Sequence, residues 1–451
     1  MNHDKLFLQG SWRLLAASII FVMPFACNEY DDSAYENWNE EDLDERAQAK
    51  KSGCENKCSP SCKCGWTEIG CSSERDCQSG LYCKIRPKLG NRCMKKTSDD
   101  NNDNDTGNGT TRYSIQIFYY PWYGSKNHDG RWRHWNNGGP YSPESGNFSA
   151  PFYPSLGPYS SANPKVIDQH MKWIAQAGIG VVIMSWWGKN SFEDKLTRDI
   201  LNAADDNGLK VAFYIEPYDG GYRQSPSDNG TRTPRTAKAD VKYIIDTYGR
   251  HGAFHRVNGR PVFLFFAART YMGGKQGEWR RVWNELHDDP NYNPILIAHD
   301  VDLDTRIKAG GWDGGHDYGC GAAIQRHKRW PALAAEYAAA DKMFHFTVCP
   351  GYDKSRWAPG KDPIIRRENG ALYDRLWRAV LNSPTRPSAV LINSFNEWHE
   401  GSSIEPAIPK SIRGYTYKNY EGVRGLSGLS ASKAYLDRTR YFSDLYVSRG
   451  R

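Results

Sequence analysis

The chain has 451 residues, a formal charge of +7 and 13% aromatic residues, among them 16 Trp and 27 Tyr. That length accommodates one large domain plus an accessory module. The mild, dispersed charge excludes a nucleic-acid footprint, while the flat apolar faces and polar edges of Trp and Tyr suit sugar rings as well as a large core.

The N-terminus reads as an export segment. His3, Lys5 and Arg13 precede an apolar run from Leu14 to Ala26, which is shorter than the roughly 20 residues a bilayer span needs. Residues 1–26 are therefore expected to be a signal peptide, with an uncleaved anchor beginning near Leu6 as the alternative. The expected location is secreted or the lumen of the secretory pathway, and membrane contact is expected only through this anchor or a lipid on Cys27. Residues 27–52 are acidic, with few apolar side chains to build a core, and read as a linker.

Residues 53–95 hold Cys54, Cys58, Cys62, Cys64, Cys71, Cys77, Cys83 and Cys93. An even, dense set behind an export signal reads as a disulfide framework whose connectivity stays open. Zinc at Cys58, Cys62 and Cys64 is the competing reading, disfavoured by the compartment and by the lack of a nearby His. The module is a candidate for binding glycan or protein, or for acting as a spacer. Residues 96–112, rich in Asp, Asn and Gly, read as a second linker, since the ligand order of a calcium loop is not met.

From residue 113 to 451 the chain alternates between short apolar runs and helical patterns. Strands are predicted at Tyr113–Tyr119, Ile179–Ser185, Lys210–Ile215, Pro261–Phe266, Ile295–His299, Asp313–Tyr318 (the weakest), Phe344–Cys349 and Ala389–Asn393. Helices are predicted at Pro164–Ala177, Phe192–Asn207, Pro234–Gly249, Gly277–His287, Asp302–Lys308, Pro331–Asp341, Gly370–Leu381 and Ser430–Ser448. Continuous rather than alternating apolar runs mark parallel strands covered on both faces. Eight strand–helix units predict an α/β fold, a (β/α)8 TIM barrel preceded by a small disulfide-rich module. Cys320 and Cys349 are further disulfide candidates inside it.

In such a barrel the chemistry lies past the C-terminal ends of the strands. Trp122-Tyr123-Gly124 follows the first strand, Trp186-Trp187 the second, Glu216-Pro217-Tyr218 the third and Gly351-Tyr352-Asp353 the seventh. After the eighth comes Asn396-Glu397-Trp398-His399-Glu400. Glycosidic cleavage needs a proton donor at the leaving oxygen and a second carboxylate to manage the nucleophile. Glu397 and Glu400, hemmed in by Phe395 and Trp398, are the candidates. No His/Asp cluster with metal-ligand spacing stands out, so neither metal nor cofactor is expected.

The domain resembles glycoside hydrolase family 99, the endo-α-1,2-mannosidase and mannanase family. The resemblance is carried by Phe118-Tyr119-Tyr120-x-Trp122-Tyr123-Gly124, Asp129-Gly130-x-x-x-His134-Trp135-Asn136, Tyr153-Pro154-x-Leu156-Gly157-x-Tyr159-Ser160-Ser161, Ile215-Glu216-Pro217-Tyr218, and Ser394 to Gly401 with Ile404-Glu405. It implies a retaining reaction in which Glu397 is base to the substrate's own 2-hydroxyl and Glu400 is acid, then base. It implies an oligosaccharide or polysaccharide substrate, with Glu216 as a sugar-hydroxyl ligand. Trp187 would lie beside the outer subsite, where Trp resembles bacterial-type members that accept mannose. Tyr123, His134, Trp135, Asn136, Tyr318, Tyr352, Asp353 and Asn396 would be further contacts, and His399 would point away from its glutamate neighbours in an extended segment. The chain departs from the family where tyrosines follow the fourth strand (Leu264-Phe265-Phe266 here) and at His316-Asp317-Tyr318 after the sixth. These departures bear on the substrate's identity, not on the reaction. The competing readings are an inactive carbohydrate-binding barrel and an adhesion or signalling protein defined by the cysteine module. The sequons at Asn104, Asn108, Asn147 and Asn229 are glycosylation candidates in a eukaryotic secretory pathway.

Overall fold

Eight parallel strands close on themselves. The computed structural model describes residues 81–84, 92–95, 112–136, 139–217, 232–268, 272 and 274–449. Its barrel strands are β1 (Ile115–Tyr119), β2 (Val181–Trp186), β3 (Lys210–Ile215), β4 (Arg260–Phe265), β5 (Ile295–Ala298), β6 (Gly314–His316), β7 (Met343–Val348) and β8 (Ala389–Ile392). Each pairs in parallel with the next, and β8 returns to β1 through Leu391 opposite Gln116, so no edge is left open.

The intervening helices are α1 (Pro164–Gln176), α2 (Phe192–Asp206), α3 (Pro234–Tyr248), α4 (Gln276–His287), α5 (Cys320–Arg326), α6 (Trp330–Ala339), α7 (Ala371–Leu381) and α8 (Gly428–Ser448). Local chemistry starts them. Asn163, Ser191 and Thr233 accept from backbone N–H groups in the first turns of α1, α2 and α3, and Pro occupies the first turn of α1 and α3. Such caps are each worth about 1 kcal/mol. Two apolar clusters result. One fills the barrel interior around Phe118, Ile183, Tyr214, Leu264, Ile297 and Leu391. The other packs the outer strand faces against the helices.

The weakest predicted strand exists but is only Gly314-Gly315-His316. A side chain at Gly314 would collide with Met343 O, and one at Gly315 with Asp300 O, so close backbone approach removes the apolar signature there. The helix predicted over Asp302–Lys308 is a π-helical segment, Leu303–Lys308. The short helix α5 has no counterpart among the predicted elements.

A disulfide joins Cys320, at the start of α5, to Cys349, the first residue after β7, with 5.5 Å between the Cα atoms. Closing a loop of 29 residues contributes roughly 3–4 kcal/mol by chain entropy, and it pins the root of the loop that carries Tyr352. Of the N-terminal cysteines, Cys83 and Cys93 are register partners in the antiparallel pair Leu81–Lys84 and Arg92–Lys95. Cys54, Cys58, Cys62, Cys64, Cys71 and Cys77 lie outside the described residues, as do the expected signal peptide, the acidic linker, nearly all of the second linker, Tyr218 and the sequons at Asn104, Asn108 and Asn229. Among the described residues no helix is long and apolar enough to cross a membrane.

Candidate active site

The chain leaves β8 into a turn closed at its base. Ser394 N donates to Ser402 O at 2.9 Å, and Ile404 N and Glu405 N donate to Ser394 O and Phe395 O at 2.9 and 2.8 Å. Inside this loop Glu397 N donates to Ser394 Oγ at 2.9 Å, and Glu400 N donates to Glu397 Oε2 at 2.6 Å. The segment is therefore a tight turn and not extended, which corrects the expectation for His399. Its ring does not point away: it stacks on Tyr123 at 5.9 Å, with Nδ1 lying 3.9 Å from Glu397 Oε1. Burial pushes the His399 imidazole down to about 3, so it meets Glu397 as a neutral ring.

Behind the turn lies a buried polar network. Glu405, fully enclosed, accepts from Tyr159 Oη at 2.8 Å and Trp398 Nε1 at 3.1 Å on one oxygen, and meets His170 Nε2 at 3.2 Å on the other. His170 Nδ1 in turn meets Tyr119 Oη at 3.1 Å. Asn396 bonds both backbone groups of Tyr120, at 2.8 and 3.0 Å, tying the turn to the end of β1. Tyr123 Oη donates to Asn396 O at 3.0 Å and accepts from Trp398 N at 3.2 Å. Each member is satisfied by another, so the backbone under Glu397 is rigidly held.

Three carboxylates share the barrel mouth. Glu216, just past β3, accepts from Ser185 Oγ at 2.7 Å, and that hydroxyl accepts from Trp187 Nε1 at 3.1 Å. Burial raises Glu216 to about 8, against the Ser185 hydrogen bond and the Arg232 charge, while Glu193 and Glu400 add to the rise. Burial raises Glu400 to about 7; Lys354 pulls it down and Asp362 pushes it up. Glu397 is raised by burial and by the Glu400 charge, and is drawn back by the N–H groups of Glu400 and His399. Two neighbouring carboxyls whose proton affinity is raised above the ordinary carboxylate range are suited to exchanging protons as an acid–base pair. Tyr318 stands among the three, its phenol kept neutral by burial and by the charges of Glu400, Glu397 and Glu216. Among the described residues no group of three His, Cys, Asp or Glu side chains could hold a metal ion.

The other expected contacts separate into surface and support. Trp187, His134 and Tyr318 are partly exposed at the mouth. His134 stacks on Trp122 at 4.7 Å, and Trp187 meets the same Trp122 ring edge-on at 5.9 Å. Tyr318 Oη bonds Tyr120 Oη. Asn136 is half-buried in a turn closed by Gly139 N at 2.8 Å. Trp135, Tyr123 and Asn396, expected as sugar contacts, are fully enclosed. Trp135 donates its indole N–H to Tyr159 O at 2.7 Å, and the other two serve the network above. In this structure they support the site from behind. Asp353 is ion-paired with Lys418 and accepts from Ser355 N at 2.9 Å, and its own N–H donates to Glu400 O at 2.6 Å. Tyr352 donates to Asp362 Oδ2 at 3.1 Å. Ser185, Lys354 and Asp362 carry no sequence signal of their own, although Lys354 directly follows Gly351-Tyr352-Asp353.

The raised Glu216 links the site to stability. Its folded value lies above its unfolded one, so the folded chain keeps a proton that the unfolded chain releases, and stability falls as pH rises from about 4.5 toward 8. Glu216→Gln keeps an acceptor for Ser185 and removes this cost, which is roughly 3 kcal/mol at pH 7 as an upper figure. The variant is expected to melt a few degrees higher than the wild type at neutral pH and equally near pH 4. Equal melting at both pH values would show that Glu216 is not held protonated.

Known proteins resemble this chain in sequence and fold. The family model described as glycosyl hydrolase family 99 matches residues 110–448. A human glycoprotein endo-alpha-1,2-mannosidase-like protein is 34% identical over 340 residues, covering 68% of this chain and 71% of that one. The mouse glycoprotein endo-alpha-1,2-mannosidase is 32% identical over 369 residues, covering 74% and 75%. A solved family 99 endo-alpha-mannosidase from Bacteroides thetaiotaomicron superposes with a TM-score of 0.64 at 30% identity, covering 76% of this chain and 99% of that one. A closed eight-stranded barrel, a carboxylate-lined mouth and a family match across the whole domain lead to one assignment: the chain belongs to glycosyl hydrolase family 99 and is a glycoside hydrolase.

Proposed function

We propose that the chain is a retaining endo-α-1,2-mannosidase or mannanase that cleaves internal α-1,2-mannosidic bonds of mannan or N-glycan chains. The observation that carries this reading is the Glu397–Glu400 pair in one tight turn at the mouth, with both carboxyls raised in proton affinity and Glu397 supplied with backbone N–H donors. Endo-mannosidase activity is the named activity of the relatives, and the α-1,2 linkage that of the curated ones.

In the first step Glu397 takes the proton of the substrate's 2-hydroxyl, and O2 attacks C1 from the face opposite the leaving group. The C1–O bond to the leaving sugar breaks as Glu400 gives that oxygen its proton, leaving a 1,2-anhydro sugar. In the second step Glu400, now a carboxylate, takes a proton from water, the hydroxide attacks C1, and the C1–O2 bond opens as Glu397 returns its proton. Two inversions give net retention. An axial 2-hydroxyl trans to the leaving group makes this geometry available to α-mannosides. Trp122, His134 and Trp187 form an aromatic wall for the outer sugar. The Cys320–Cys349 disulfide fits an oxidising compartment, supporting secretion or a secretory-pathway lumen.

Incubation with Man- and Glc-capped α-1,3-Man-α-1,2-Man oligosaccharides tests reaction and outer-subsite preference together. Release of a capped disaccharide with an α-configured new reducing end, read by NMR before mutarotation, is the expected result. A β-configured product, or turnover of an analogue lacking the 2-hydroxyl at the cleaved residue, would refute it.

A further inference from the structure

The loop after β7 carries a feature that the two-glutamate scheme does not use. Tyr352 and Ile365 bond each other's backbone at 2.9 and 2.8 Å, strapping residues 352–365 into a closed loop. Inside it, Lys354 and Asp362 form an ion pair with side chains only 7% and 12% exposed. Tyr352 Oη adds a second donor to the same Asp362 oxygen at 3.1 Å. The strap is seated directly on the catalytic turn. Asp353 N bonds Glu400 O at 2.6 Å, and any side chain on Gly401 would meet Asp353 O at 2.8 Å.

We infer that the buried Lys354–Asp362 pair is a positioning device for Glu400, its two opposite charges holding the acid/base carboxyl in balance between its proton-donating and proton-accepting states. This rests on the acid/base role proposed for Glu400 above. Burying an ion pair is costly, and in a loop with no core to register it contributes little to stability by itself. Its placement has a use if the charges act on a neighbour. Lys354 favours the Glu400 carboxylate and Asp362 opposes it, so the pair acts as a dipole and not as a net charge. A bare lysine would strip Glu400 of the proton it must deliver in the first step. A bare aspartate would keep it protonated when it must accept a proton from water.

The other titratable groups around Glu400 share its turn or feel its charge from neighbouring elements. Glu397 and His399 share its turn. Glu216 and Tyr214 face it from β3, Tyr318 from the end of β6, and Tyr352 from the strap itself. Arg367 bonds the neighbouring carbonyls of Gly401 and Ser403 at 2.9 and 2.6 Å. Unlike these, Lys354 and Asp362 are the groups whose removal should move Glu400 in opposite directions while leaving Glu397 and Glu216 in place.

The test is the pH profile of kcat/KM for Lys354→Met, Asp362→Asn and the double variant, each checked for folding by circular dichroism and thermal melting. The acid form of Glu400 is lost on the alkaline limb. Lys354→Met should carry that limb up by about one pH unit and Asp362→Asn should carry it down by about as much. The double variant removes both charges without leaving one unpaired, so it should fold and return the limb to near its wild-type position. Limbs that stay put in the folded variants, or that move the same way in both single variants, would overturn the inference. If Glu400 is not the acid at all, Glu400→Gln retains activity, and that result is separate from any limb shift.

Discussion

Glu400→Gln should lower kcat on an unactivated α-1,2-mannoside by about 10²–10⁴-fold, the range one general acid supplies, while oligosaccharide binding changes little. Gln has the same shape, and the Glu400 N–H that holds Glu397 belongs to the backbone, so the turn should persist. Glu397→Gln should cost as much for a different reason, and leaving-group chemistry separates the two. Fluoride departs without a proton. An α-glycosyl fluoride should therefore restore the first step in Glu400→Gln, with azide replacing water as a nucleophile that needs no base, giving an azide adduct of retained configuration. No leaving group relieves Glu397→Gln, because the 2-hydroxyl still lacks its base. Equal rescue of both variants by fluoride would mean that the roles are shared, and rescue of Glu397→Gln alone that they are reversed.

The place of Glu397 and Glu400 could be read from residue order because parallel strands in a barrel are continuous apolar runs and the site follows their C-terminal ends. β6 was only faintly legible, since Gly314 and Gly315 allow close backbone approach instead of contributing apolar side chains. Residue type at a strand end says that a side chain is near the mouth, not which way it turns. Trp135, Tyr123 and Asn396 belong to the right motifs yet are enclosed, because the chain turns them under His134 and Glu397. His399 departs from the expectation for the same reason: alternation holds in extended backbone, and Asn396 to Gly401 is a turn. The Lys354–Asp362 pair left no sequence signal. Its members are eight positions apart in an irregular loop, where no period constrains which side chains meet.

Glu405, by contrast, closes the Ile404-Glu405 motif without an assigned part, and altering it should cost the fold heavily. Glu405→Leu leaves the Tyr159 hydroxyl proton and His170 Nε2 facing an apolar group in a site with no access to water, and leaves Trp398 Nε1 only the Tyr159 oxygen at 3.1 Å. Losing one partner of a buried, hydrogen-bonded charged group costs about 3–5 kcal/mol, a large share of the roughly 5–15 kcal/mol by which a domain is stable. Glu405→Gln should cost less than Leu, because one oxygen still accepts from Trp398 and Tyr159 while the new amide turns N–H groups toward His170, which can accept through its neutral tautomer. The order wild type, Gln, Leu in denaturant midpoint is the expected result. Activity measured well below the melting temperature separates packing from positioning. Trp398 lies between Glu397 and His399 in the chain, and its indole rests on Glu405, so losing that anchor should loosen the turn and lower kcat in the folded Leu variant while KM changes less. A folded Glu405→Leu enzyme with wild-type kcat would mean that the turn holds Glu397 without support from beneath.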